Sequence, residues 1–163
     1  MDAGMPAEGI GGVMMAFEHF GLGQAARSTG WLYPLANLVH VLGAALVVGA
    51  MATFDIQVLR SLREASIVSR TAIRIAVVGL LFQASSGVVL LSAEASTLVR
   101  NPAFQFKMAV LVLALTNVAV FHWRFGRALR TGAVLDDGAR PLAVVSLASW
   151  ILVLLAGRSI AYL

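Results

Sequence analysis

An all-α integral membrane protein, a bundle of four transmembrane helices, is the fold class this sequence predicts, and three observations predict it. Of 163 residues 60% are hydrophobic and only 12% charged, about half the charged fraction of a soluble domain. Four apolar stretches are each long enough to cross a hydrocarbon core, which takes about 20 helical residues. The basic residues behind the net charge of +4 sit at the ends of those stretches, where membrane proteins place them. They are not interleaved with exposed aromatics, so the charge points to topology and to no nucleic-acid partner. The mean hydropathy of +0.88 makes the lipid bilayer the expected surroundings.

The first span is expected over about residues 31–59, the second over 73–93, the third over 102–122 and the fourth over 141–162. Pro102 and Pro141 suit first helical turns. Short connections predict that sequential helices are antiparallel neighbours, and residues 31–163 then form one transmembrane domain. Residues 1–30 are expected to form an amphipathic interfacial leader. Ile10, Val13, Met14 and Phe17 recur at helical spacing, with Glu8, Glu18 and His19 off the stripe. Asp2 and Glu8 stand ahead of any apolar stretch, and without the positive n-region and apolar h-region no cleavable signal peptide is expected.

Orientation follows from Lys and Arg beside the spans. Arg60, Arg63, Arg70, Arg74, Arg124, Arg127, Arg130 and Arg140 fall on one side; Arg27, Arg100, Lys107 and Arg158 fall on the other. That bias predicts a multi-pass protein of a bacterial cytoplasmic membrane with both termini outside. Trp31, Tyr33 and Tyr162 then lie at the outer interface.

The sequence contains no cysteine, which excludes disulfides, thiolate metal sites, iron–sulfur clusters and covalently attached haem. No nucleophile–base constellation or phosphate-binding glycine loop is present. Function therefore rests on polar residues inside the spans, which are costly to bury. Depth arithmetic at 1.5 Å per residue sorts them. Asn37, His40, Lys107 and Arg158 fall in an outer layer; Asp55 and His122, with Arg124, fall in an inner one. The two histidines lie roughly 18 Å apart along the membrane normal, so they cannot share one metal or one haem iron.

Small and polar residues form stripes that let helices approach closely. These are Gly43, Val47 and Ala50 on the first span, Gly79, Gln83, Ser86 and Gly87 on the second, and Ser146, Ser149, Trp150 and Gly157 on the fourth. The same stripes would make room for a flat cofactor. His40 is the candidate ligand to haem iron or another metal, with Asn37 on its face, Gly43 and Gly87 lining the ring, and Lys107 and Arg158 meeting propionates. Lys107 and Arg158 could equally snorkel to the interface. Met14, Met15 and His19 have ligand types that suit copper.

Trp31-Leu-Tyr-Pro34 with His40, Gly43 and Asp55, Asn101-Pro-Ala-Phe-Gln-Phe-Lys107 with Asn117 and His122, and Gly157-Arg-Ser-Ile-Ala-Tyr162 together resemble an uncharacterised family of small bacterial four-helix membrane proteins. The likeness runs from about Gln24 onward. Where that family tends toward Asp-Leu-Arg-Leu-Leu-Gly, this chain has Asp55-Ile-Gln-Val-Leu-Arg60. More distantly, His40, Lys107 and His122 are similar in placement to residues of the haem-b-binding membrane protoporphyrinogen oxidase and of copper-resistance D type proteins. The resemblance implies His40 as axial ligand and Lys107 as its essential companion. The oxidase's arginine-rich first-helix motif is missing, so its reaction is not assigned.

Three functions follow as expectations. The first is a haem-b electron-transfer subunit working with a quinone or a partner redox protein. The second is transport of copper or a small solute through Asn37, His40 and Asn117. The third is a cofactor-free structural or assembly subunit. The sequence leaves a homo-oligomer open.

Overall fold

The computed structural model describes residues 21–160, apart from the side chain of Leu22. The expected amphipathic leader stripe, Met14, Met15, His19 and Tyr162 lie outside the described residues. Within them are a short helix α1 (Gly21–Ser28) and four long helices, α2 (Leu32–Arg60), α3 (Ala65–Arg100), α4 (Pro102–Thr131) and α5 (Ala139–Ser159). All four long helices are long and apolar enough to cross a membrane. Only 17–33% of each helix's most apolar stretch is buried inside the bundle. The remaining apolar surface is consistent with contact to a lipid bilayer, and exposed Leu38, Val41, Leu81, Val112 and Leu155 belong to it.

Helix α2 packs against α3 and α5, and α4 packs against the same two, so α2 and α4 face each other across one diagonal of the bundle. The tightest pairing is α2 with α3. A Cβ built on Gly43 would lie 2.8 Å from the Gly79 carbonyl, and one on Gly79 would lie 2.8 Å from the Val47 nitrogen. Both values are below any real Cβ contact, so the two backbones touch only because neither residue has a side chain. Without a hydrophobic drive between helices in lipid, such dispersion contact holds the pair together.

Helices α3 and α4 outrun the apolar lengths read from sequence. α3 covers 36 residues, about 54 Å, and α4 continues through Arg124, Arg127 and Arg130 to Thr131. Apolar length measures what fits in lipid, whereas a helix continues into water wherever its backbone is satisfied and no breaker intervenes. Asn101 starts α4: its side-chain oxygen accepts from the amides of Ala103 at 2.9 Å and Phe104 at 3.2 Å, and Pro102 follows as first residue. Gly132, at φ 73°, ends α4 in a left-handed cap.

The α2–α3 and α4–α5 connections meet, with the Leu135 amide donating to the Leu62 carbonyl at 3.3 Å. This brings to one end the helix termini that carry Arg60, Arg70, Arg127, Arg130 and Arg140, with Arg63 in the α2–α3 connection, and makes it the basic end. Beneath it lies the main core, in which Phe54, Val58, Phe121, Phe125, Leu129 and Leu135 pack together. Phe121 meets Phe54 edge-on at 5.4 Å and Phe125 at 5.0 Å. Each such aromatic pair contributes about 0.5–1.5 kcal/mol. At the opposite end α3 kinks at Glu94 (φ −142°, ψ 35°), and Arg27 of α1 donates to the adjacent Ala93 carbonyl at 2.9 Å. Trp31 is exposed at this end.

Candidate functional site

Two polar layers cross the bundle, and all four long helices contribute to each. The first is centred on His40 of α2, half-buried toward the end opposite the basic one. Its Nδ1 lies 3.0 Å from Ser86 Oγ on α3. The Ser86 hydroxyl has one proton and donates it to the Phe82 carbonyl of its own helix, so Oγ accepts from Nδ1–H. The lone pair then sits on Nε2, and across the diagonal the Lys107 ammonium of α4 approaches it to 3.5 Å. Gln83 holds the same turn in place, its Nε2 donating to the His40 carbonyl at 3.0 Å. Gly87 faces the imidazole edge, where a Cβ would come within 3.3 Å of Cε1. On α5, Gly157 leaves room for Lys107, whose ammonium would be 3.5 Å from a Cβ there.

Among the described residues no carboxylate pairs with Lys107. The ammonium lies half-buried between helices with a neutral acceptor as its partner. An anchored imidazole presenting Nε2, with a cation beside it, is a donor set suited to a metal-centred group bearing acidic substituents. The fit is partial. The space beside Gly43 is filled by the α3 backbone, so of the two glycines expected beside a cofactor only Gly87 faces the ring. Asn37 is exposed on the outer side of the His40 turn, and Arg158, next to Gly157, is exposed as well.

The second layer lies toward the basic end. Asp55 of α2 is 1% exposed, Ser146 of α5 2% and Asn117 of α4 6%. With Ala72 and Ile73 of α3, Phe121 and His122 of α4, and neighbouring apolar side chains, they line a cavity of about 20 Å³. The expected grouping of Asp55 with His122 holds to this extent, since both border the cavity. His122 is itself exposed, and its Nδ1 bonds the Val118 carbonyl at 2.9 Å. Arg124, placed in this layer by depth, is instead stacked over the Phe125 ring at 5.5 Å. Between the layers, Val47, Ala114 and Trp150 form a small apolar core.

Sequence reasoning placed His40 and Lys107 in one layer. It missed the specific partners Ser86 and Gln83, although both stand on the small-residue stripe of the second span. Ser146 was read only as helix interface; its position on the stripe one turn from Trp150 was the available signal. The Glu94 kink has no breaker residue to announce it.

The fold and the two layers define the class: this is a multi-pass integral membrane protein, an all-α four-helix bundle with polar groups buried in its interior. Compared with protein families, curated proteins and solved structures, the chain matches none.

Proposed function

We propose that the protein is a haem-b electron-transfer subunit of a bacterial cytoplasmic membrane, with its ligand site at the His40 layer, working beside a quinone or a partner redox protein. On this reading the chain belongs with the small bacterial four-helix proteins it resembles, and the arginine-rich end faces the cytoplasm. The meeting of both connections at one end, with the arginine-bearing helix termini beside them, supports that orientation.

The observation that carries the reading is the anchored imidazole. Ser86 holds Nδ1–H, which fixes the ring and presents Nε2 to the bundle interior, as an outer partner does for an axial histidine. Haem, when bound, supplies one-electron redox chemistry. His40 would ligate, Gly87 would admit the ring edge, and Lys107 on its flexible stem would leave Nε2 for an acidic group. Arg158 would serve a second acidic group at the interface.

The structural-subunit reading has its own support: both ring nitrogens of His40 already have protein partners, and α2 and α3 touch at Gly43 and Gly79. The copper reading draws on Met14, Met15 and His19, which lie outside the described residues; among the described residues no group of three or more His, Cys, Asp or Glu side chains could hold a metal ion.

One absorption spectrum separates the two. Protein expressed with ample haem supply and purified in detergent is expected to show a Soret band that His40→Ala abolishes. A colourless protein ends the haem reading. The structural reading then predicts that His40→Gln changes stability and nothing else.

A further inference from the structure

A second cavity opens at the end opposite the basic one. Helix α1 lies against α3 there, and α3 breaks its helical course at Glu94. Arg27, Thr29, Tyr33 of α2, and Ala93 and Glu94 of α3 line a space of about 280 Å³. That volume approaches the lower end for small-molecule sites, about 300 Å³. Its surface is mixed, with two hydroxyls and two opposite charges set among small apolar side chains.

Those charges decide what fits. The Arg27 guanidinium places a donor on the Ala93 carbonyl at 2.9 Å, which holds it at the cavity wall. A guanidinium has five N–H donors and serves several acceptors at once, and its planar fork matches a phosphate. Among the described residues no salt bridge engages the Glu94 carboxylate, which suits it to an ammonium group. Tyr33 and Thr29 add hydroxyls that donate to phosphate oxygens or accept from ammonium. A ligand with an anionic and a cationic group a few bonds apart answers both charges. A purely anionic ligand is repelled by Glu94, and a neutral one leaves both charges unanswered.

Position adds the setting. Tyr33 comes earlier in α2 than His40, which puts it about 10 Å further toward this end. Exposed Trp31 stands beside it, and Trp and Tyr are the residues that mark a membrane–water boundary. The cavity therefore sits at head-group depth, within reach of lipid and of water.

We propose that this cavity binds a phosphoethanolamine group, its phosphate at Arg27 and its ammonium at Glu94, with Tyr33 and Thr29 completing the contacts. The group arrives on a phospholipid or as the free zwitterion. Neither His40 nor Asp55 lines the cavity, so the site stands whether or not the His40 layer holds haem.

The test is thermal unfolding of the purified, delipidated full chain in detergent. It is titrated with phosphatidylethanolamine, phosphatidylcholine or phosphatidylglycerol of the same acyl chains. Phosphatidylethanolamine is expected to raise Tm saturably. Its midpoint should lie roughly tenfold below that of phosphatidylcholine, whose quaternary ammonium donates no hydrogen bond. Phosphatidylglycerol, with no cation for Glu94, is expected to act more weakly than either. Free phosphoethanolamine separates the sources: a matching rise assigns the site to the head group alone, and no rise assigns it to the intact lipid. Glu94→Gln keeps the side-chain shape and is expected to erase the preference for phosphatidylethanolamine over phosphatidylcholine. Three lipids that act alike on the parent overturn the proposal, as does a Glu94→Gln variant that keeps the parent's preference. Should that variant not fold, the comparison on the parent decides alone.

Discussion

Around His40, Nδ1 bonds Ser86, Nε2 meets Lys107 and the carbonyl of the same residue accepts from Gln83. Around Asp55, the Ser146 hydroxyl is the polar neighbour of the carboxyl group, and the Trp150 indole nitrogen, one turn further along α5, has no hydrogen-bond partner. The same helices build both layers. The first is half open to its surroundings yet satisfied, while the second is closed and only partly satisfied. A satisfied polar network fixes register and orients a side chain. One left partly satisfied is kept at a cost in stability.

The largest expected effect tests the wall of the closed layer. Phe121 borders the cavity and holds Phe54 and Phe125, so Phe121→Ala is expected to cost about 3–5 kcal/mol, read by denaturant or thermal unfolding. Any Soret band should persist in the variant that still folds, and its loss would show that the two layers are one site.

Next comes His40→Leu. It removes the acceptor for Lys107 and the donor to Ser86, and a stranded polar group costs about 1–3 kcal/mol. Unfolding at neutral pH measures it. Stability equal to the parent's would mean that the hydrogen bonds around His40 contribute nothing net, which breaks the contrast from the satisfied side.

The smallest effect is expected for Asp55→Asn. The amide keeps the shape and replaces a buried carboxyl group, so stability should stay level or rise by up to about 1 kcal/mol. A loss as large as that of His40→Leu would show that Asp55 is held as firmly by the protein's own groups as His40 is. Opposite signs for the two variants sharpen the comparison most.

Much of this was legible beforehand. Apolar length located the four spans, and basic residues marked which connections share an end. Depth along a helix put His40 with Lys107 and Asp55 with His122, because rise per residue is nearly constant. The stripes of small residues identified the faces on which α2 and α3 meet. What could not be read was lateral. Helical periodicity gives a residue's height and face but not its distance to the next helix, so the Ser86 bond and the filling of the space beside Gly43 by α3 were invisible.

By itself, then, the sequence determined a four-helix membrane bundle, the pairing of its basic ends and the height of each polar group, since those follow from hydropathy, charge and helix rise. Only the tertiary structure decided which polar groups satisfy one another. A hydrogen bond depends on tenths of an ångström between helices, and that spacing is set by packing, as where Gly43 meets Gly79, and not by any one segment. The same packing left Asp55 and Ser146 around a cavity that the protein's own side chains do not fill.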